Sequence, residues 1–376
     1  MKMKPSPGLK AFRAGIDRLD RDIVHSLARR MTLAGRLCRL KKSVRDFKRE
    51  EWVLANAERQ CRRHGLDFSV AEPVFREIMR QSAAVQRFLR GEARPVKALL
   101  LGGDTACSIS PEIHALLGRR AGVPVQYFRA NIDLSELSGF LDFCSESGIF
   151  GLNVTTPLKT YAARFARLDP AASAIGAVNV LSRESGKWFG YNTDADGLSL
   201  SLAGMGVSFA GADVALLGAG GAARAAIFAA GRGGARSVTI YNRTLARAKE
   251  CAKHFGRLFP DSLFIARGHA GFGSAKAHLF IKAAPDEAYR AGSLKRRGEG
   301  FALDMSYGPV LSPFLRDASR AGYGIIRGET MLVYQAMLSF EIWSGLIFDD
   351  REAEAEMLMR RLAGKGLAPL SGEETC

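Results

Sequence analysis

The sequence of 376 residues has few cysteines, and their positions suggest no shared role. The six cysteines are scattered, no Cys-x-x-C pair occurs, and the six histidines are not clustered. Zinc sites and disulfide frameworks depend on such spacings. We therefore expect no metal site and no disulfide-stabilised fold.

Long hydrophobic runs are also missing. No apolar segment approaches the roughly 20 residues that a membrane-spanning helix needs, and Met1 to Pro5 lead into a patterned helix rather than a signal peptide. With 47% hydrophobic and 24% charged residues, the composition is typical of a folded soluble protein. We expect no membrane association and a cytoplasmic location.

Acidic residues are scarce relative to basic ones, 38 against 54, which gives a net charge of +16. Residues 1–92 contain 22 lysines and arginines against 11 aspartates and glutamates, so they carry +11 and the remaining 284 residues only +5. Such a basic region can bind nucleic acid or small anions. Its basic residues are not interleaved with aromatics and form no nucleic-acid-reading motif, so the sequence favours small anions.

Helical periodicity dominates the first part of the chain. Apolar side chains three and four positions apart over residues 9–42 predict one long amphipathic helix. Shorter patterns predict helices near 46–63 and 70–90, the latter entered near Pro73. The sequence thus predicts an all-α three-helix module over residues 1–92.

The sequence pattern changes at Val96. Short apolar runs, such as Val214 to Leu217 and Ser237 to Tyr241, then alternate with helical stretches, and glycine becomes frequent. This alternation is typical of a parallel α/β architecture. A chain of this length has room for two or three domains, so we predict a multidomain protein.

The long predicted helix carries three basic residues of interest. Arg30 and Lys41 are 11 residues apart, which at about 100° per residue returns them to within roughly 20° of the same face. Arg13 lies 17 residues before Arg30, roughly 25 Å along the axis. A small ligand cannot bridge that distance, so a functional Arg13 would act in a site of a second subunit.

A glycine-rich turn follows the predicted strand that ends at Leu217. Strand, turn and an alanine-rich helical run in series predict the phosphate cradle of a dinucleotide-binding fold. The residues of this predicted cradle are Gly218, Ala219, Gly220, Gly221 and Ala222.

The next predicted strand lacks the terminal acidic residue that usually binds the ribose of NAD. Three other residues occupy this position: Asn242, Arg243 and Thr244. Because an arginine here can pair with a 2′-phosphate, the sequence predicts NADP as the cofactor.

Six short polar motifs surround the glycine turn, four before it and two after it. They are Ser108 to His114, Asn153 to Lys159, Gly176 to Asn179, Tyr191 to Asp194, Asp304 to Pro309 and Gly328 to Gln335. Each alone is compatible with an ordinary turn. Together, in this order, they resemble the shikimate dehydrogenases over about residues 96–348. The resemblance implies an α/β substrate domain and a Rossmann NADP-binding domain.

This resemblance implies a shikimate site. Ser108, Ser110 and Tyr307 would bind the carboxylate, and Thr155, Asn179 and Gln335 would bind the hydroxyls. Lys159 and Asp194 would be the catalytic pair, because an alcohol that loses a hydride also loses a proton, which a nearby lysine can accept or return. The chain departs from the family pattern at Lys282 to Pro285, where Asn-Ala-Thr-Pro is usual, near the expected cofactor.

Eight polar residues of the helical module resemble the functional positions of the all-helical chorismate mutases. They are Arg13, Arg30, Lys41, Asp46, Arg49, Glu50, Ser82 and Gln86. The resemblance, over about residues 8–90, implies a homodimer intertwined through the N-terminal helices, with Arg13 completing the partner's site. The arginines would bind the carboxylates of chorismate, and Lys41 and Gln86 would be catalytic donors to the breaking ether oxygen. Asp46, Glu50 and Ser82 would bind the ring hydroxyl and orient the cations.

We predict four segments. They are a helical domain (1–92), a shikimate-binding domain (93–196, completed by 325–350), a Rossmann NADP-binding domain (197–324) and a C-terminal helix and tail (351–376). The predicted protein is a bifunctional enzyme that reduces 3-dehydroshikimate with NADP and converts chorismate to prephenate. The alternative is an NAD(P)-dependent quinate/shikimate dehydrogenase whose helical module only dimerises or senses a ligand.

Overall fold

A computed structural model describes residues 7–37, 47–89, 96–121, 123–292, 294, 300–308 and 310–363. The chain forms two compact units, one of residues 1–94 with 345–347 and one of residues 95–344 with 348–376. Within the described ranges, no helix combines the length and apolar character needed to cross a membrane.

The described part of the first unit consists of three helices. They are α1 (Pro7–Leu37), α2 (Phe47–Arg63) and α3 (Phe68–Leu89). Helix α3 packs against both α1 and α2. Helix α1 runs uninterrupted for 31 residues, as its apolar spacing predicts, and the predicted continuation over 38–42 lies outside the described residues.

Helix α3 begins earlier than the predicted entry near Pro73. The Asp67 carboxylate accepts a hydrogen bond from the Ser69 amide at 2.8 Å, which satisfies one of the free amides of the first turn. Pro73 therefore lies inside the helix, where it removes one backbone hydrogen bond.

The apolar row of α1 is buried unevenly. Near its C-terminal end, Ala34 is only 6% exposed. Towards the N-terminus, Phe12, Ile16, Leu19 and Ile23 follow each other at helical spacing and are 56–77% exposed. Half of the helix thus presents a continuous apolar row that the described residues of this chain leave uncovered.

The α/β unit contains two six-stranded sheets. The strands of the first are β1 (Val96–Gly102), β2 (Val125–Asn131), β3 (Gly151–Val154), β4 (Arg167–Leu168), β5 (Val180–Glu184) and β6 (Lys187–Tyr191). Their order is β2-β1-β3-β5-β6-β4. Strand β1 is parallel to β2 and β3, whereas β5 is antiparallel to both of its neighbours.

The second sheet is entirely parallel. Its strands are β7 (Asp213–Leu217), β8 (Ser237–Asn242), β9 (Leu263–Gly268), β10 (Leu279–Lys282), β11 (Phe301–Asp304) and β12 (Gly324–Ile326). Their order in the sheet is β12-β11-β10-β7-β8-β9. The chain adds β8 and β9 on one side of β7 and then adds β10, β11 and β12 on the other side, so the strand order reverses between β7 and β10. Ligands of such sheets bind in the crevice at the carboxyl ends of the strands where the order reverses.

In the part of this unit that the structure describes, ten α-helices connect or cover the strands. They are α4 (Ser110–Ala121), α5 (Leu137–Glu146), α6 (Lys159–Ala162), α7 (Pro170–Ile175), α8 (Asp194–Ala203), α9 (Gly221–Arg232), α10 (Leu245–Leu258), α11 (Pro313–Arg320), α12 (Gly328–Ser344) and α13 (Arg351–Ala363). Helix α12 packs against α4 and α8 of the first-sheet region, and α13 packs against α12.

Two of the predicted domain boundaries fall inside regular elements. The boundary at 196/197 lies within α8. The boundary at 324/325 lies within β12, which pairs with β11 through Leu303 and Ile326. Residues 325 and 326 therefore belong to the second sheet, because their backbone hydrogen bonds are made there.

Candidate active sites

Two helix starts bring Lys159 and Asp194 together. Each is the first residue of its helix, α6 and α8 respectively. The Lys159 Nζ atom lies 2.5 Å from Asp194 Oδ2, and the side chains are only 14% and 6% exposed. Because little water reaches this pair, it is better fixed than a surface ion pair. A proton on the lysine amine therefore has a defined position.

Asn179 holds the other carboxylate oxygen of Asp194. Its Nδ2 donates to Asp194 Oδ1 at 2.8 Å and to Gln335 Oε1 at 3.3 Å, while its Oδ1 accepts the Thr193 amide at 2.7 Å. Thr155 directly follows β3 and is half-buried. Of the predicted hydroxyl-binding residues, Asn179 thus contacts both Gln335 and Asp194, whereas no described hydrogen bond links the Thr155 side chain to them.

A cluster of hydroxyl groups connects the two sheets. Ser108 and Ser110 are buried at the start of α4, and Ser108 Oγ donates to Ser110 Oγ at 3.1 Å. Tyr307, in the loop after β11, donates its hydroxyl to Ser108 Oγ at 3.2 Å. Three neutral hydroxyls at one point can donate to an anionic carboxylate.

The glycine turn lies against Lys159. Gly218 has φ of +132° and a Cβ there would lie 2.5 Å from the Ala283 carbonyl oxygen, so only glycine fits. A Cβ on Gly221 would lie 2.8 Å from Lys159 Cβ. Ala219 and Gly220 form the turn, and α9 begins with Gly221 and Ala222. A Cβ on Gly220 would meet open space. Open space before a helix N-terminus fits a pyrophosphate.

The end of β8 stands at the same carboxyl edge. Strand β8 ends at Asn242, and the exposed residues Arg243 and Thr244 follow. Asn242 Nδ2 donates to the Thr244 carbonyl at 3.0 Å, which fixes the turn into α10. Since β8 neighbours β7, Arg243 lies where a dinucleotide fold binds the adenosine ribose. Its guanidinium fits a 2′-phosphate.

In the helical unit, Arg30 joins α1 to α3. Its Nη1 donates to Ser82 Oγ and, at 3.2 Å, to the Ile78 carbonyl. Burial, and then the nearby positive charge of Arg49 on α2, lower the pKa of Arg30. Two guanidinium groups on different helices therefore lie within each other's electric field, which suits a ligand with carboxylates.

Gln86 lies one turn after Ser82 on α3, and both are buried, at 5% and 8% exposure. The Gln86 Oε1 atom has no hydrogen-bond partner among the residues that the structure describes. Buried polar atoms are normally paired. Since rotation about the last torsion exchanges the amide oxygen and nitrogen, this unpaired position can present either atom to a bound ligand.

The structure describes two of the remaining residues predicted for the helical unit, Glu50 and Arg13. Glu50 is half-buried on α2, and Arg13 is exposed on α1, 17 residues before Arg30 in the same uninterrupted helix. Lys41 and Asp46 lie outside the described residues.

Curated proteins similar to this chain are shikimate dehydrogenases. The shikimate dehydrogenase (NADP(+)) of Brucella abortus is 35% identical over 293 residues, which cover 73% of this chain and 97% of the relative. This chain belongs to the shikimate dehydrogenase family. The family model for the shikimate dehydrogenase substrate binding domain matches residues 100–181.

Solved structures of shikimate dehydrogenases share the fold. One from Thermus thermophilus, in complex with NADP(H) and shikimate, is 32% identical with a TM-score of 0.58 over 70% of this chain and 98% of its own. A chorismate mutase/shikimate 5-dehydrogenase fusion protein from Clostridium acetobutylicum is 24% identical with a TM-score of 0.60 over 73% of this chain and 99% of its own. Residues 12–87 match the family model for chorismate mutase type II.

Sequence reasoning did not assign a role to two residues behind the shikimate dehydrogenase site. The half-buried Tyr127 donates its hydroxyl to Asn153 Oδ1 at 2.8 Å. Asn153 Nδ2 donates to the Asn179 carbonyl at 3.2 Å. These hydrogen bonds link Tyr127 and Asn153 to Asn179, which holds Asp194. Asn153 begins the motif Asn153 to Lys159, whereas Tyr127 belongs to none of the six motifs, so no feature of the sequence pointed to it.

His114, in the same motif as Ser108, is a structural residue. It is fully buried, its ring stacks on Tyr127 with centroids 4.4 Å apart, and its Nε2 lies 3.2 Å from Asn153 Oδ1. Burial lowers the pKa of His114 to about 3. The ring therefore stays neutral at physiological pH and supports Tyr127.

Proposed function

We propose that this chain is a bifunctional cytoplasmic enzyme of aromatic amino-acid biosynthesis. Its α/β unit interconverts 3-dehydroshikimate and shikimate with NADP, and its helical unit converts chorismate to prephenate. One observation carries the first activity: the buried Lys159–Asp194 pair lies directly against the glycine turn, with Gly221 and Lys159 in contact. The lysine amine, which can exchange a proton with the substrate, therefore lies next to the glycine turn that would bind the dinucleotide.

The proposed roles of the dehydrogenase residues come from the family resemblance, and the contacts of Asn179, Asp194 and Tyr307 support them. Ser108, Ser110 and Tyr307 donate hydrogen bonds to the substrate carboxylate, and Thr155, Asn179 and Gln335 bind its hydroxyls. When bound, NADPH would supply the hydride for reduction and NADP+ would accept it during oxidation. Lys159 Nζ takes the hydroxyl proton during oxidation and returns it during reduction. Asp194 keeps the amine in place, because Asn179 and Lys159 bind its two carboxylate oxygens.

Cofactor choice depends on Arg243. Replacing Arg243 by alanine removes a guanidinium that pairs with the 2′-phosphate, so the Michaelis constant for NADP should rise about 10- to 100-fold. The constant for NAD, which lacks this phosphate, should change less than about twofold. Initial rates with each cofactor measure both values.

Arg257→Ala is the matched control, because Arg257 is an exposed arginine in the last turn of α10, away from the glycine turn. It should leave both Michaelis constants unchanged. An equal rise for NAD and NADP in Arg243→Ala would favour the alternative of an NAD-using quinate/shikimate dehydrogenase.

The mutase activity is supported by the Arg30, Arg49, Ser82 and Gln86 cluster. Chorismate is a dicarboxylate, and its rearrangement is intramolecular and needs no nucleophile. Catalysis therefore requires groups that hold the reactive conformer and stabilise charge on the breaking ether oxygen. Arg30 and Arg49 bind carboxylates, while the buried Gln86 amide, with Lys41, donates to that oxygen.

A second copy of this chain completes the mutase site. Arg13 lies roughly 25 Å from Arg30 along α1, too far to contact the same chorismate. The N-terminal half of α1 also exposes Phe12, Ile16, Leu19 and Ile23, an apolar row that favours burial against another apolar surface. A homodimer formed through α1 buries this row and brings the partner's Arg13 to the site.

Assays of the purified chain test the proposal. We expect NADP-dependent oxidation of shikimate, followed by NADPH absorbance, and conversion of chorismate to prephenate in a separate assay. A chain that oxidises shikimate but leaves chorismate unchanged would support the alternative that the helical unit only dimerises or senses a ligand.

A further inference from the structure

Lys282 forms a buried ion pair next to the Tyr307 loop (residues 306–308). Lys282 and Asp304 end the neighbouring strands β10 and β11 and are register partners. The amine lies 3.0 Å from each carboxylate oxygen of Asp304, and the side chains are 0% and 1% exposed. Asp304 also accepts the Ser306 amide at 2.9 Å. The pair therefore holds the first residue of the loop.

A second ion pair holds the other end of this loop. Arg327 Nη2 lies 2.9 Å from Glu329 Oε1, and the side chains are 20% and 2% exposed. Glu329 accepts the Gly308 amide at 3.2 Å, and Arg327 donates to the Gly308 carbonyl at 2.7 Å. Both backbone groups of Gly308 are thus bound by one charged pair.

The loop is also packed tightly against the start of α12. A Cβ on Gly328 would clash with the Ser306 carbonyl oxygen and would lie 2.8 Å from that of Asp304. Tyr307, between the two held residues, reaches the other sheet to donate to Ser108. The loop has no regular secondary structure of its own, so its position depends on these contacts.

We propose that the Lys282–Asp304 and Arg327–Glu329 pairs are positioning groups for the substrate carboxylate: they hold the Tyr307 loop so that its hydroxyl meets Ser108. This inference rests on the proposed role of Tyr307 in carboxylate binding. It also gives a role to Lys282, which departs from the family pattern. Its amine lies 3.0 Å from Asp304 and 2.6 Å from Asp286, so it is bound by carboxylates of the second-sheet region.

Glu329→Gln tests the proposal, because it keeps the side-chain shape and removes the charge. We expect the Michaelis constant for shikimate to rise about tenfold, with turnover changed less than about threefold. In a Tyr307→Phe background the same substitution should change the constant less than about twofold, since the hydroxyl being positioned is gone. Lys282→Met should likewise raise the Michaelis constant for shikimate in the wild-type background but not in the Tyr307→Phe background.

Glu341→Gln is the matched control. Glu341 pairs with Arg351 at 2.7 Å with exposures of 1% and 26%, nearly the same burial as the Glu329 pair, but the described contacts of Glu341 do not include the loop. The proposal would be overturned if Glu329→Gln and Glu341→Gln raised the Michaelis constant for shikimate equally, because the effect would then be a general loss of stability. It would also be overturned if the effects of Glu329→Gln and Tyr307→Phe on this constant were fully additive.

Hydrogen exchange separates this inference from the proposed function. Glu329→Gln should speed amide exchange in residues 306–308 at least about tenfold, and Glu341→Gln should not. Unchanged exchange overturns the positioning role whatever the activity. A wild-type chain that does not oxidise shikimate contradicts the proposed function instead, and the exchange result still decides whether the pairs hold the loop.

Discussion

Replacing Lys159 by alanine should lower the turnover of shikimate oxidation by about 100-fold or more. The lysine amine lies 2.5 Å from Asp194 in the buried pair beside the glycine turn, so its loss removes the group that exchanges the hydroxyl proton. The dissociation constant for shikimate should change far less, because Ser108, Ser110 and Tyr307 still bind the carboxylate. Initial rates at saturating substrate and a binding titration without NADP measure the two effects.

Lys187→Ala provides the control, because Lys187 is an exposed lysine of the same unit, at the start of β6. It should retain wild-type turnover. Thermal unfolding of both variants shows whether Asp194 without its partner destabilises the fold. Near-normal turnover in a folded Lys159→Ala variant would assign proton exchange to another group.

Mixing two inactive variants should restore mutase activity. Arg13→Ala and Arg30→Ala should each lose it almost completely as homodimers, since every site then lacks one arginine. In a heterodimer, one site combines the intact Arg13 of one chain with the intact Arg30 of the other. With free subunit exchange, half of the dimers are mixed, so about one quarter of the wild-type sites should return.

Dehydrogenase activity is the internal control for this experiment. Its proposed residues all lie in the α/β unit of one chain, so both variants should oxidise shikimate at nearly wild-type rates. A mass-tagged subunit can show that exchange has occurred. Confirmed exchange without recovery of prephenate formation would contradict the shared site and favour a helical unit that only dimerises.

The sequence predicts features whose signals are local. The three- and four-residue spacing in α1 gives a helix of 31 residues, and the strand, glycine turn and helix around Gly218 form as predicted because each depends on a few neighbouring residues. The order of the polar motifs was sufficient for the family resemblance, which the comparisons confirm. The predicted entry of α3 near Pro73 is too late, because Asp67 caps the helix before this proline.

Only the tertiary structure decides which distant residues meet. Tyr307 and Ser108 are 199 positions apart, and they meet because two different sheets bring their carboxyl edges together. Lys282 looks like a change at the cofactor site in the sequence, but the β10–β11 register pairs it with Asp304. The exposure of the N-terminal half of α1 could not be predicted from the sequence either. The apolar spacing predicts that the helix has an apolar face but not which residues cover that face. Local patterns fix helices and turns, because those form between neighbours, whereas ion pairs and hydroxyl clusters depend on how whole sheets pack.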